Sequence, residues 1–154
     1  MRVREFQSEL WLPPPPADLF PFFADAANLE ALTPSWLNFK IVTPTPIPMR
    51  EGTLIDYHLR VRGVPLRWRT RINVWQPPQR FVDEQIRGPY RRWVHLHGFR
   101  EVPGGVEVSD RVEYALPFGP LGDLVHALVV RRQLNAIFAF RRRAMEEMFG
   151  TIEP

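Results

Sequence analysis

Residues 121–149 contain no proline, and glycine does not recur after position 122 until position 150. Proline and glycine are the two residues that most oppose a helix, so this stretch reads as one helix of roughly seven to eight turns at about 3.6 residues per turn. That is far longer than the usual helix of a globular protein. In a chain of 154 residues it must lie across the whole of whatever it packs against. Its apolar residues include Leu124, Leu128, Leu134, Ile137, Phe138, Met145 and Met148, with Arg131-Arg132 and Arg141-Arg142-Arg143 between them.

The rest of the chain reads as the surface that covers this helix. Residues 2–12 alternate, with Arg4, Phe6, Ser8, Leu10 and Leu12 as the inward set of a first strand. Pro13 to Pro16 end it, because proline cannot donate to a ladder. Residues 17–23 and 25–32 read as two short helices, with Pro16 suited to a first helical position and Asp25 to an N-cap. Pro21 should kink or shorten the first, and Thr33-Pro34 should stop the second. Six further strands are expected at residues 36–43, 53–62, 66–75, 81–87, 90–102 and 106–116, separated by short Pro- and Gly-containing turns. Consecutive strands on short turns predict an antiparallel meander. The expected class is therefore α+β, a curved antiparallel sheet of about seven strands wrapped around a long C-terminal helix, in one domain spanning residues 1–154.

The two-residue period of a strand assigns its faces. Ile55, Tyr57, Leu59 and Val61 share one face of the third strand, and Leu66, Trp68, Thr70, Ile72 and Val74 one face of the fourth. Phe81, Asp83 and Gln85 are taken as inward in the fifth, and Trp93, His95, His97 and Phe99 in the sixth. Val106, Val108, Asp110, Val112, Tyr114 and Leu116 face inward in the seventh. The predicted interior is thus apolar with a few polar members. The expected ligand-binding residues are Tyr57, Trp68, Thr70, Asp83, Gln85, Trp93, His95, His97, Asp110 and Tyr114. Apolar walls with a few placed polar groups are the profile of a small-molecule site.

The order strand, two short helices, six strands, long helix resembles the helix-grip fold of the START-like, Bet v 1-like (SRPBCC) superfamily, and in particular its polyketide cyclase/dehydrase and lipid-transport branch. The segments most similar are Leu32-Thr-Pro-Ser-Trp, the run from Phe81 through His97, Asp110-Arg-Val-Glu-Tyr and Pro117-Phe-Gly-Pro-Leu-Gly. The resemblance implies a cavity between sheet and helix that takes sterols, lipids, polyketides or hormones. Some members are cyclases.

His95 and His97 lie two apart on one strand face, so their rings point the same way. With Asp83 or Asp110 they would make acid–base pairs, His97 with Asp110 or His95 with Asp83, able to move a proton on a bound ketone. His95, His97, Asp83 and Asp110 are the candidate catalytic residues of a cyclase or dehydratase. The same pattern suits a two-histidine, one-carboxylate metal site, but no third ligand is specified and no metal is expected. A satisfied internal hydrogen-bond network is the plainer use of the same groups. There is no Gly-rich phosphate loop, no G-x-S-x-G and no H-E-x-x-H, so no cofactor is expected. The chain has no cysteine, which removes disulfides, thiolate catalysis and cysteine-ligated metals.

Arg60, Arg62, Arg67, Arg69 and Arg71 fall on the outer face, with Trp75 nearby. An interaction protein could use that face for nucleic acid or an anionic membrane surface. A solvated face paired with Asp56 and glutamates accounts for it equally, and no nucleic-acid motif accompanies the charge. Arg131 and Asn135 would reach a ligand carboxylate only if their stripe faced the sheet; charged residues favour the outward reading. A small apolar or amphipathic ligand is the expected partner, with a homodimer as a further candidate. No apolar run approaches a membrane span, and the N-terminal residues lack the apolar core of a signal peptide, so a cytoplasmic location is expected.

Overall fold

The computed structural model describes residues 2–153; residues 1 and 154 of the expected domain lie outside them. Seven antiparallel strands follow one another in the order β1-β7-β6-β5-β4-β3-β2. Strands β2 to β7 form the predicted meander, and β1 (Arg4–Leu12) closes onto β7 (Gly105–Ala115). The others are β2 (Lys40–Ile41), β3 (Leu54–Val61), β4 (Val64–Gln76), β5 (Arg80–Arg87) and β6 (Arg92–Val102). Helix α1 (Pro16–Phe23) starts on Pro16, as its missing N–H allows, and stops two residues after Pro21.

The chain between α1 and β3 departs from expectation. Residues 25–32 form a single 3₁₀ turn, Ala26–Leu29, although Asp25 caps it as predicted by accepting from the Ala27 amide at 3.0 Å. The predicted second strand shrinks to Lys40–Ile41. Ser35–Leu37 wind instead into a 3₁₀ turn that ends on Asn38 at φ +48°, a left-handed conformation asparagine tolerates better than most residues.

Strand β4 carries a bulge between Ile72 and Val74. A bulge inserts one residue and reverses the faces beyond it. Val74, expected inside, therefore pairs with outward Val82, and Trp75 pairs with inward Phe81. The Trp75 ring lies 5.1 Å from Phe20 and 5.4 Å from Phe81, in the core and not on the basic face.

The long helix runs through α2 (Gly119–Val125), a π-helical turn (His126–Val130) and α3 (Arg131–Phe149) without leaving right-handed helical angles at the joins. Its buried residues are Gly122, His126, Val130, Leu134, Phe138, Arg141 and Met145, a step of four residues sustained to Phe138. An ideal helix drifts out of phase with a four-residue step, and the wide π turn absorbs the drift. Leu124 and Leu128, counted in the helix's apolar set, consequently face outward. Arg131 and Asn135 are exposed, as expected.

The core lies between sheet and helices at one end. Leu10, Leu12, Phe20, Phe99, Val106, Val108 and Met145 form it, with Phe20 set edge-on to Trp75, Phe81 and Phe99. A second, smaller cluster joins Val112, Tyr114, Val130, Leu134 and Phe138. The sheet floor and α3 part between them, and the gap is the site.

Candidate functional site: a cavity with one polar end

A cavity of about 640 Å³ separates the concave face of the sheet from the long helix. Most of its wall is apolar, drawn from Ile55, Trp68, Ile72, Leu134 and Phe138 among others. The polar atoms of the aromatic wall are largely used among themselves. Trp68 Nε1 donates to Thr70 Oγ1 at 3.0 Å, and the Tyr57 hydroxyl shares a 2.9 Å bond with the same oxygen. Tyr57 and Trp68 stack at 5.9 Å, so they present ring faces rather than hydrogen-bonding groups. Burial pushes the Tyr57 and Tyr90 phenols well above their ordinary range, so both stay neutral.

Of the residues expected to bind ligand, Tyr57, Trp68, Thr70, Asp83, Trp93, His95 and His97 line the cavity. Among the described residues, three others stand off it. Gln85 closes the turn before β6, donating to Tyr90 O at 2.7 Å and accepting from the Tyr90 amide at 3.1 Å. The Tyr114 hydroxyl is turned to His126 Nε2 at 2.7 Å. Asp110 sits behind His95, 3% exposed.

The polar end of the cavity gathers Asp83, His95, His97 and Arg141 in front of Asp110. The expected pairs are exchanged. Across the ladder Asp83 stands opposite His95, and His97 opposite Asp110. Yet the side chains reach diagonally, His95 Nε2 to Asp110 Oδ1 at 2.7 Å and His97 Nε2 to Asp83 Oδ2 at 2.6 Å. The two imidazoles stack at 3.6 Å, with Phe81 on the far face of His97 at 4.0 Å. Held flat in that stack, each ring hydrogen-bonds one carboxylate through Nε2, and His97 Nδ1 lies 3.6 Å from Asp110 Oδ1.

Arg141 was hidden from sequence reasoning inside a run of three arginines. Its spacing from Leu134, Phe138 and Met145 puts it on the buried stripe, and that was the available signal. It is 8% exposed, with Nη2 3.7 Å from Asp110 Oδ1 and 3.5 Å from His97 Nδ1. Burial works to raise the Asp110 carboxyl, but the Arg141 charge and the His95 hydrogen bond outweigh it and hold the group well below the usual carboxylate range. Burial likewise opposes ionisation of Asp83, and its bond from His97 overcomes it. His97 is pushed down to about 4, by burial first and the neighbouring imidazole second, against the pull of Asp83. The geometry agrees. A guanidinium has donors only, so the His97 Nδ1 that faces Arg141 must be bare, and Nε2 must carry the hydrogen that Asp83 accepts.

The same logic fixes His95. An ionised Asp110 is acceptor-only, so His95 Nε2 carries a hydrogen that Asp110 accepts. Among the described residues Nδ1 makes no hydrogen bond, and His95 lines the cavity. This is a histidine oriented from behind by a buried carboxylate. Donor atoms of Asp83, His95 and His97 also lie within 4.8 Å of one another, a spacing a metal ion could bridge. The Arg141 guanidinium stands against that cluster and would repel a cation.

The outer face is mixed rather than uniformly basic. Arg69 holds Asp56 at 2.8 Å, Arg92 holds Glu113 at 2.9 Å and Arg111 holds Glu5 at 2.9 Å. Among the described residues no helix is long and apolar enough to cross a membrane.

A family model described as polyketide cyclase / dehydrase and lipid transport matches residues 12–139. No curated protein matches the chain in a sequence comparison. Among solved structures, TTHA0849 from Thermus thermophilus is 22% identical, with TM-score 0.68 over 94% of this chain and 95% of its own. The di-domain ARO/CYC StfQ from the steffimycin biosynthetic pathway is 17% identical, with TM-score 0.73 over 94% of this chain and 50% of its own. Ara h 8.0201 is 19% identical, with TM-score 0.60 over 94% of this chain and 99% of its own. At such identities these structures establish the shared helix-grip fold.

Proposed function

The chain belongs to the polyketide cyclase/dehydrase and lipid transport family, and from that membership we propose that it takes up a small hydrophobic or amphipathic molecule between its sheet and its C-terminal helix. The observation that carries this reading is the cavity itself. Its volume of about 640 Å³ is lined mostly by apolar side chains, and its charged lining groups, Asp83 and Arg141, both lie beside His97. Ligand pockets run from about 300 to 1,000 Å³ with this balance of surfaces. Titration with Nile red, which brightens on leaving water, should give a saturable one-site rise in emission. An unsaturable response, or none, contradicts the reading.

A second reading is supported by the His95–Asp110 pair. An imidazole that lines the cavity, with its Nε2–H tied to a buried carboxylate, is the arrangement of a general base. It would serve a cyclisation or dehydration by removing a proton next to a carbonyl and returning it to the departing oxygen. The family description and the ARO/CYC designation of StfQ favour testing it. For a substrate that turns over, His95→Ala should cut the rate constant by about 100-fold or more. Nile red affinity should hardly move. A variant that keeps its rate and loses only affinity leaves binding as the sole role.

A further inference from the structure

Phe118 stands at φ +72°, in the left-handed region, with its ring 77% exposed. Glycine or asparagine holds that conformation at less cost, and an exposed ring gives the fold nothing in return. The helix that starts there continues the pattern. Leu121, Leu124, Val125 and Leu128 are all exposed and step by three or four residues along one face. Arg131 and Arg132, also exposed, follow them. Phe118, Leu121 and Val125 line the cavity as well, so the exposed apolar surface continues into its mouth.

The strand register adds to this surface. The β3–β4 turn, the β5–β6 turn and the start of β1 lie at the end of the sheet where β7 hands over to the helix. Val3 and Val64 are exposed there, and so are Arg2, Arg62, Arg87 and Arg91. The carboxylates nearest this end are already engaged: Glu5 with Arg111, Asp56 with Arg69, Glu113 with Arg92 and Asp123 with Arg4. Exposed apolar side chains thus sit among arginines that no carboxylate of their own surface balances. We propose that this end docks on an anionic lipid bilayer, with Phe118 and the helix face from Leu121 to Leu128 sunk to the boundary of headgroups and acyl chains and the arginines on lipid phosphates. A helix with an apolar face and cationic flanks lies in that interface in this way. A second copy fits worse, because a two-fold pairing uses the same patch on both chains and would set uncompensated arginines against one another. Docking does not need the cavity to be filled; that a ligand passes between bilayer and cavity through this mouth rests on the ligand-binding reading above.

Co-sedimentation with vesicles of phosphatidylcholine and phosphatidylglycerol, three parts to one, tests this. The protein should bind them, and bind phosphatidylcholine alone about 10-fold more weakly, the loss expected when several arginines meet no surface charge. Neither Leu124 nor Leu128 lines the cavity, and glutamine is a good helix former. The double variant Leu124→Gln/Leu128→Gln should therefore keep its fold and its Nile red affinity while its vesicle affinity drops about 10-fold or more. Arg131→Gln/Arg132→Gln should lose about as much on the anionic vesicles and nothing on phosphatidylcholine. The chain has no cysteine, so Leu124→Cys takes a single NBD label. Its emission should brighten and move to the blue on anionic vesicles, while a label on Glu147→Cys, exposed near the other end of the helix, should not respond. No binding to anionic vesicles, binding that both double variants retain, or a label at position 124 that stays in water would overturn the proposal. A dimer in solution that Leu124→Gln/Leu128→Gln splits, in a protein that ignores vesicles, would overturn it and give the face to a second copy. Vesicle binding without Nile red binding would uphold the docking and sink the cavity reading alone.

Discussion

Asp110→Ala is expected to lower the unfolding free energy by about 3–5 kcal/mol, the cost of removing one partner from a buried charge cluster. The substitution takes away the acceptor of His95 Nε2 and leaves Arg141 buried beside His97 with its nearest counter-charge gone. Asp110→Asn keeps an oxygen for His95 but loses the charge, so it should fall between alanine and the native residue. Urea unfolding of the three proteins measures the series. A loss below about 1 kcal/mol, the range of exposed ion pairs, would mean that solvent in the cavity balances Arg141 and that the polar end is wet in the empty protein.

Acid is expected to weaken the fold through His97. Its folded pKa of about 4 lies below the ordinary 6.5. The unfolded chain therefore binds a proton that the folded protein refuses, and stability falls as pH drops from 6.5, the His97 contribution levelling off below about 4. The expected loss is about 3 kcal/mol across that window. The groups facing His97 are Asp83 from β5, His95 from its own strand, Asp110 from β7 and Arg141 from α3. Asp83 and Asp110 are both depressed, so they hold their contribution until the pH falls below the ordinary carboxylate range, and they do not cancel the His97 limb. His126, lowered mainly by burial, adds in the same direction. Denaturant midpoints between pH 7 and pH 4 should trace the decline, and His97→Gln should remove most of it. A flat profile in the unaltered protein would show that His97 is charged in the fold.

Both predictions concern groups whose positions were partly legible in the sequence. The alternation of His95, His97 and Asp110 with outward neighbours was enough to set them on one face, because a strand leaves only two choices per residue. The partners within that set were not legible, since diagonal pairing depends on how two stacked imidazoles tilt against Phe81, and no pattern in the chain encodes a tilt. The long helix was legible from the missing prolines and glycines. Its phase was not, because a π turn at His126–Val130 changes the helical period there, and Leu124 just before it and Leu128 within it face outward. The bulge at Ile72–Val74 acted likewise on β4 and carried Trp75 into the core. Arg141 shows a different limit. Its helical spacing was inward, but charged residues are rarely buried unpaired, and its counter-charge, Asp110, comes from a strand distant in sequence.

The claim that this protein encloses a small apolar molecule is tested most directly by native mass spectrometry, before and after organic extraction, on protein purified gently from cells and then incubated with excess Nile red. The account predicts a one-to-one complex that extraction strips to the bare chain and Nile red restores. A spectrum showing only the bare chain at every stage, from protein that is folded, would contradict it.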